Sequence, residues 1–342
     1  MAPAISYAQR YEDLHLLRCF GAQAGGFYID VGAGHPVHDN VSFAFYLRGW
    51  SGITVEPNPW LAQLSAAVRP RDRRIQAVLG ASDGEATYYL VEDFHGLSTT
   101  VESHARAVLA EYGKQAQAMT LPMTTLARLC RDLAPAVIDF LKIDVEGAEA
   151  DVLAGADWDR FRPKVAVLEA LAPVTLAPAW PAWEPLLTRH GYRFAYFDGL
   201  NRYYVAGEHA ALADRLADAP TDFDGITQLR DFGPALEDSL HPDHHLARLL
   251  AGLDLVRLPL MDADALAEHL SAHLAASALD RPAAREDLAA AHLGLFGTLP
   301  GPAWPLTLGL PANASVRQLY RHAVATEQFR AACGRISASY AW

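Results

Sequence analysis

Four acidic residues close apolar, β-rich runs in this chain: Asp30 in "GFYIDVGA", Glu56 in "SGITVEP", Asp144 in "FLKIDV" and Glu169 in "VAVLEAL". In an open α/β sheet the carboxyl ends of strands are where ligands bind, so the four can act at one edge. Asp30 is followed by Gly32 and Gly34, whose missing side chains let backbone come close to a ligand. Asp30 and Glu56 lie 26 residues apart, the interval of one strand-helix-strand unit. Glu56 can accept two neighbouring hydroxyls, and Asp30 can face an ammonium. Asp144 can serve as a base, a metal ligand or a partner for a ligand's amino-acid end. Glu146 follows two residues later as a further candidate, with Glu149 three beyond it on the same helical face. Acids in a first helical turn also simply complement the helix dipole. Asp144 with Glu169 has the oxygen chemistry that magnesium requires.

The glycine turn narrows the ligand. A dinucleotide fingerprint needs G-x-G-x-x-G, and here the third position is Val37. Asp30 would also repel a pyrophosphate, and Pro36 delays the next helix, whose N-terminus phosphate binding uses. No Gly-Lys-Ser/Thr follows, so a P-loop is excluded. S-adenosylmethionine carries no phosphate; it has a sulfonium, an ammonium and a ribose diol, and favours carboxylates beside such a turn. Asp30, Gly32, Ala33, Gly34, Glu56 and Pro57 are the expected cofactor contacts, joined by Asp144 and by Ala81 and Ser82 past the third strand. His35 and His95 can supply a base near neutral pH, His35 being the stronger catalytic candidate. Ser98, Thr99 and Thr100 suit acceptor or adenosine contacts or a local turn. Lys142 reads as a charge partner or a snorkelling surface group. Gln9 and Tyr11 are candidates for a lid, or for packing of a first helix.

Several elements must position these residues. "NVSFAFYLRGW", "WLAQLSAAVRP", "TTLARLCRDL" and "AEADVLAGADW" read as helices, the first of them amphipathic. They alternate with five strands, the third in "RIQAVLGAS". Strand and helix in repetition predict a doubly wound, mostly parallel sheet. "YRFAYFDGLNRYYVAG" then has two β-rich arms around Asp198-Gly199, a hairpin that brings the count to seven strands. After it the chain turns rich in alanine and leucine. "DADALAEHLSAHLAASAL" starts with a plausible N-cap at Asp262, and Val316, Leu319, Tyr320 and Ala323 share one stripe. The domains are therefore a lead-in over 1–26, the sheet domain over 27–207, a linker over 208–225 and a helical appendage over 226–342. His241, His244 and His245 fall at helical spacing but with no fourth ligand, so they read as hydrogen-bonding groups.

Composition excludes other classes. At 51% hydrophobic and 20% charged, a sizeable core is available to the chain. A net charge of -12 argues against a nucleic-acid groove. Cys19, Cys130 and Cys333 are far apart, which fits a reducing compartment and offers no zinc site. The first residues carry acids within their apolar stretch, unlike a signal peptide, and no window suits a membrane span. A cytoplasmic protein is expected.

"YIDVGAGHP", "VEPNP", "AVLGASDGEA", "GLSTT", "FLKIDVEGAEADVL" and "EALAPVT" occur in the order found in FkbM-type methyltransferases, and from about Ser6 to Gly207 the chain resembles that family. "FLKIDVEGAE" is the most specific block. Gly34-His35-Pro36 departs from the family, which shows a polar residue and another glycine there. The resemblance implies a class I S-adenosylmethionine methyltransferase fold and methylation of a hydroxyl on a sugar, glycan or polyhydroxylated natural product. A small-molecule or glycan acceptor is the expected partner, and homo-oligomers are open. Two other readings stand beside it: a degenerate methyltransferase-fold scaffold or acceptor-binding module, and a nicotinamide-dependent oxidoreductase.

Overall fold

The computed structural model describes residues 4–91, 95–172, 174–217, 223, 225–298, 309–311 and 313–340. The chain divides into two compact units. Ser6–Ala66 with Arg71–Ile226 form the sheet unit, and Thr227–Trp342 with Met1–Ile5 and Ala67–Pro70 form the other.

In chain order the strands of the sheet unit are β1 (Phe27–Val31), β2 (Ser51–Val55), β3 (Arg73–Ile75), β4 (Val78–Leu79) and β5 (Gly84–Leu90). They continue with β6 (Gln117–Thr124), β7 (Phe140–Ile143), β8 (Val165–Glu169), β9 (Tyr192–Phe197) and β10 (Asn201–Ala206). Seven form a mixed sheet in the order β3-β2-β1-β7-β8-β10-β9. The first five of that order pair in parallel, while β10 is antiparallel to both β8 and β9. The closing hairpin makes the sheet mixed, with its other strands parallel.

The helices of this unit are α1 (Glu12–Phe20), α2 (Phe43–Leu47), α3 (Pro59–Val68), α4 (Glu102–Tyr112), α5 (Leu126–Leu133), α6 (Glu149–Ala154), α7 (Trp180–Thr188) and α8 (Ala211–Ala217). Alternation along the strands gives each face its own core, because successive side chains point to opposite faces. Ile29, Ile53, Leu141 and Ala166 pack with Leu129 of α5, Val152 of α6 and Trp183 of α7. Tyr28, Phe140, Val167 and Tyr203 pack with Phe20 of α1, Phe45 of α2 and Leu216 of α8. Burying both faces explains why these strands are apolar throughout and why a polar residue within them is conspicuous.

The elements differ from the sequence reading in four places. The third strand is split, β3 lying in the large sheet and β4 in a three-stranded sheet of order β4-β6-β5. Neither α4 nor β6 stands out in the sequence pattern. α2 is not amphipathic: Phe43, Ala44, Phe45 and Tyr46 are all buried. The expected linker over 208–225 contains α8, whose Leu212 and Leu216, one helical turn apart, reach the same core as α1.

The second unit contains α9 (His244–Leu249), α10 (Ala263–Ser271), α11 (Ala276–Leu279), α12 (Arg285–Phe296), α13 (Val316–Ala325) and α14 (Glu327–Ala338). Asp262 caps α10 by accepting from the Ala265 N–H at 3.0 Å. Leu266 and Leu270 of α10 share a core with Val316, Leu319, Tyr320 and Ala323 of α13 and Ile336 of α14. Inside it Arg335 donates to both oxygens of Asp243, at 2.6 and 2.7 Å. Much of the Gly/Pro-rich stretch between α12 and α13 lies outside the described residues. No helix among the described residues is long and apolar enough to cross a membrane.

Candidate active site

The parallel strands β1, β2, β7 and β8 end side by side, which places Asp30, Glu56, Asp144 and Glu169 along one edge. The register fixes more. Asp30 in β1 stands opposite Lys142 in β7, so a buried cation meets a buried carboxylate in neighbouring strands. The Lys142 ammonium lies 3.7 Å from Asp30 Oδ1 and 3.3 Å from Asp144 Oδ2, and donates to the Gly32 carbonyl at 2.8 Å. Burial works against a charged lysine here, yet the Asp144 and Asp30 carboxylates outweigh it and raise its pKa. Lys142 is thus a charge partner, tying the glycine turn to the end of β7.

The turn after β1 is shaped by its neighbours. Gly32 and Gly34 both have left-handed backbone, φ 69° and 61°. A Cβ on Gly32 would stand 1.7 Å from the Asp144 carbonyl oxygen, whereas one on Gly34 would meet nothing within 4 Å. Gly32 is therefore demanded by close packing of the two strand ends, and Gly34 leaves open space in front of the turn. Ala33 donates its N–H to the Val55 carbonyl at 3.1 Å. Asn40 holds the turn from the far side, donating to the carbonyls of Ala33 and His35 at 2.9 and 3.1 Å. Ser42 donates to Asp30 Oδ2 at 2.5 Å, while Asp30 Oδ1 is sealed from solvent and accepts no hydrogen bond.

Glu56 is buried, and its two oxygens accept the N–H groups of Asn58 at 2.8 Å and Gly34 at 2.7 Å. Burial pushes its pKa up to about 7. Each oxygen keeps a lone pair for a further donor. Pro57 beside it is half-buried. Two predicted contacts stand differently: Ala81 and Ser82 are exposed at the turn from β4 to β5, and among the described residues no hydrogen bond or ion pair joins them to the carboxylates. His35 is buried, and its Nδ1 accepts backbone N–H groups from Val37 and His38 at 3.2 and 3.0 Å. That nitrogen stabilises the turn, so it is not offered to a substrate proton. The side chain of His95 lies outside the described residues.

At the other end of the edge, one carboxylate oxygen from each of Asp144, Glu146 and Glu169 lies within 4.8 Å of the other two. Glu146 reaches the group through a left-handed backbone, φ 55°, a conformation unusual for a residue with a side chain. Its carbonyl is held by Thr99 Oγ1 at 2.8 Å and by His104 Nδ1 at 3.0 Å, both donating. A Cβ on the next residue, Gly147, would strike the His104 ring at 2.1 Å. Glu149 accepts from the N–H groups of Val145 and Gly147 at 3.2 and 3.1 Å, which commits it to shaping the loop. Burial, then the charge of Asp144, raises the pKa of both Glu146 and Glu169 well above the ordinary carboxylate value.

Some neighbours of the site were not singled out in the sequence. Tyr88 of β5 hydrogen-bonds Ser98, and its pKa is raised by burial and then by the charge of Glu56. Asn201 of β10, in register with Glu169, donates to Glu12 at 2.8 Å and to Asp198 at 3.2 Å. Burial and then Asp198 push the Glu12 pKa up to about 8. An asparagine just before a buried helix is the signal that could have revealed Asn40. Glu12 and His104 belong to ordinary-looking helices and offer none. Tyr11, stacked on Phe223 with ring centroids 4.3 Å apart, opens α1, whose Leu16, Cys19 and Phe20 lie in the core; that helix is packed structure.

Two positive-φ glycines, a buried carboxylate with an unbonded oxygen and a second strand-end carboxylate with lone pairs to spare suit a ligand with an ammonium and a diol. Residues 30–194 match the family model of the methyltransferase FkbM domain. The family implies S-adenosylmethionine as the methyl donor. Among solved structures the chain is similar to a TehB-like S-adenosylmethionine-dependent methyltransferase from Corynebacterium glutamicum ATCC 13032 Kitasato. The two share 11% identity over 57% of this chain and 87% of that one, with a TM-score of 0.31. Among curated proteins none matches the chain.

Proposed function

We propose that this protein is an S-adenosylmethionine-dependent O-methyltransferase that methylates a hydroxyl of a sugar, glycan or polyhydroxylated natural product. The observation that carries the reading is the convergence of Asp144, Glu146 and Glu169 on one point of the strand edge that also holds the glycine turn. When bound, S-adenosylmethionine supplies an electrophilic methyl carbon on a positively charged sulfur, which leaves neutral with the bonding pair. Asp30 would face the ammonium of the cofactor and Glu56 its ribose hydroxyls. An alcohol is a poor nucleophile, so a base must take its proton as it attacks. Asp144 or Glu169 is that base, and the burial that raises the Glu169 pKa increases its appetite for the proton. Helical layers on both faces support reading the sheet as the doubly wound class I frame.

The test is methyl transfer from S-adenosylmethionine to a panel of nucleotide sugars, glycans and polyols, read by mass spectrometry. A methylated product that Asp144→Asn fails to make, with the variant's circular dichroism unchanged, is the expected result. Near wild-type turnover by that variant would remove Asp144 from catalysis. Tight binding of S-adenosylhomocysteine with no product on any hydroxylated acceptor would leave a scaffold instead.

A further inference from the structure

We infer that Asp144, Glu146 and Glu169 form a binding site for a hard divalent cation of the magnesium or manganese class. Oxygens bound to one hard divalent ion, at about 2.1 Å for magnesium and up to about 2.6 Å for calcium, can lie up to about twice that distance apart. The three carboxylate oxygens lie within 4.8 Å of one another, inside the limit for the longer bonds, and side-chain rotations of a few tenths of an ångström would bring them to the roughly 4.2 Å that magnesium sets.

A second observation points to the ion independently. Glu169 Oε2 is shut off from solvent and has no hydrogen-bond partner. A buried carboxylate oxygen left unbonded is a costly state. Among the described residues no side-chain cation is in direct contact with it. Lys142 contacts Asp30 and Asp144, and no ion pair reaches Glu146 or Glu169 among the described residues. A small cation bridging the three would satisfy the orphan oxygen and the mutual repulsion together.

The surrounding bonds separate ligands from supports. Glu149 accepts the N–H groups of Val145 and Gly147 through Oε1, and its oxygens are not among the three that come together, so it is a support. Glu146 has its backbone fixed by Thr99 and His104 through the carbonyl, which leaves its carboxylate for the ion. Three protein ligands would leave coordination positions for water and for an acceptor hydroxyl. A bound hydroxyl loses its proton more readily, and that deepens the methyl-transfer reading, although ion binding itself does not depend on it.

The experiment titrates the full-length protein, stripped with EDTA, with manganese, followed by electron paramagnetic resonance of the free ion and by calorimetry. S-adenosylhomocysteine affinity is measured in parallel on the same preparations. One manganese per chain, displaced by magnesium, is expected. Glu146→Gln and Glu169→Gln should each weaken it by about tenfold or more, with unchanged circular dichroism and thermal unfolding reporting that the variants are folded. No saturable manganese binding by the wild type, or undiminished binding by both variants, would overturn the site. Failure to bind S-adenosylhomocysteine would count against the methyltransferase reading alone.

Discussion

Glu56 shows how one residue links burial, hydrogen bonding and pH. Its carboxylate accepts two backbone N–H groups, which favours the ionised form, but burial pushes its pKa up to about 7. Accepting ribose hydroxyls requires the ionised form. As pH falls through about 7 the group gains a proton and loses acceptor capacity, so cofactor affinity should fall. Calorimetry with S-adenosylhomocysteine should show affinity dropping by up to about tenfold per pH unit below 7, and Glu56→Gln should be weak and flat across the range. A wild-type affinity that does not change between pH 8 and 6 would place the ribose elsewhere. Other residues were legible by type and only partly by role. The strand-end carboxylates stand out because a charge closing an apolar run is rare. His35 and Glu149 also stood out, yet His35 Nδ1 and Glu149 Oε1 accept backbone N–H groups of their own loops. Whether a polar side chain serves a ligand or its own loop depends on distances the sequence does not carry.

Elements show the same division. "GAG" presents Gly32 and Gly34 as equivalents, and the fold makes them different. Gly32→Ala would drive a methyl into the Asp144 carbonyl oxygen, 1.7 Å away, in addition to the left-handed strain. Gly34→Ala would meet only the strain. Urea unfolding should find Gly32→Ala destabilised by about 4 kcal/mol or more and Gly34→Ala by about 1–2 kcal/mol. Equal losses would mean that the turn after β1 is not packed against the end of β7 as described. β6 was illegible for a specific reason: Pro122 lies inside it, and a proline argues against a strand. It is tolerated because β4 pairs with β6 only at Met123 and Thr124, so at Pro122 the strand has β5 alone as neighbour. The third strand could not be seen to divide, because an apolar run does not say which of two sheets each half joins.

At the scale of the whole molecule, the two units should respond oppositely to mild acid. In the sheet unit burial raises Glu12 to about 8, Asp13 to about 6 and Glu56 to about 7. Those folded-state values exceed the ordinary ones, so the folded unit holds more protons and loses stability as pH rises from about 4 to 8. His15, lowered by burial to about 4, opposes them singly. In the helical unit burial lowers His241 to about 4, with Arg335 and His244 adding to it and Asp243 and Asp238 opposing. Its folded state binds fewer protons than the unfolded chain between pH 6.5 and 4, so stability falls as pH drops through that window. Calorimetric scans should show the two transitions moving apart in opposite directions between pH 7 and 5. His241→Gln should reduce the acid sensitivity of the helical unit. A common shift of both transitions would contradict this assignment of the buried groups.

By itself the sequence determined the alternation of strand and helix, the glycine turn, the closing hairpin, the helical stripes of the second unit and the carboxylates at strand ends. Each is a local matter, written in hydrophobic period, turn chemistry or a charge in an apolar run. Tertiary structure alone decided that Glu146 joins Asp144 and Glu169, that Glu149 and His35 hold loops, and that Lys142 spans two strands to Asp30. Those outcomes depend on contacts between residues far apart in the chain, such as Thr99 and His104 on the Glu146 carbonyl. No spacing encodes them, because they exist only once the sheet has set which strand ends lie side by side.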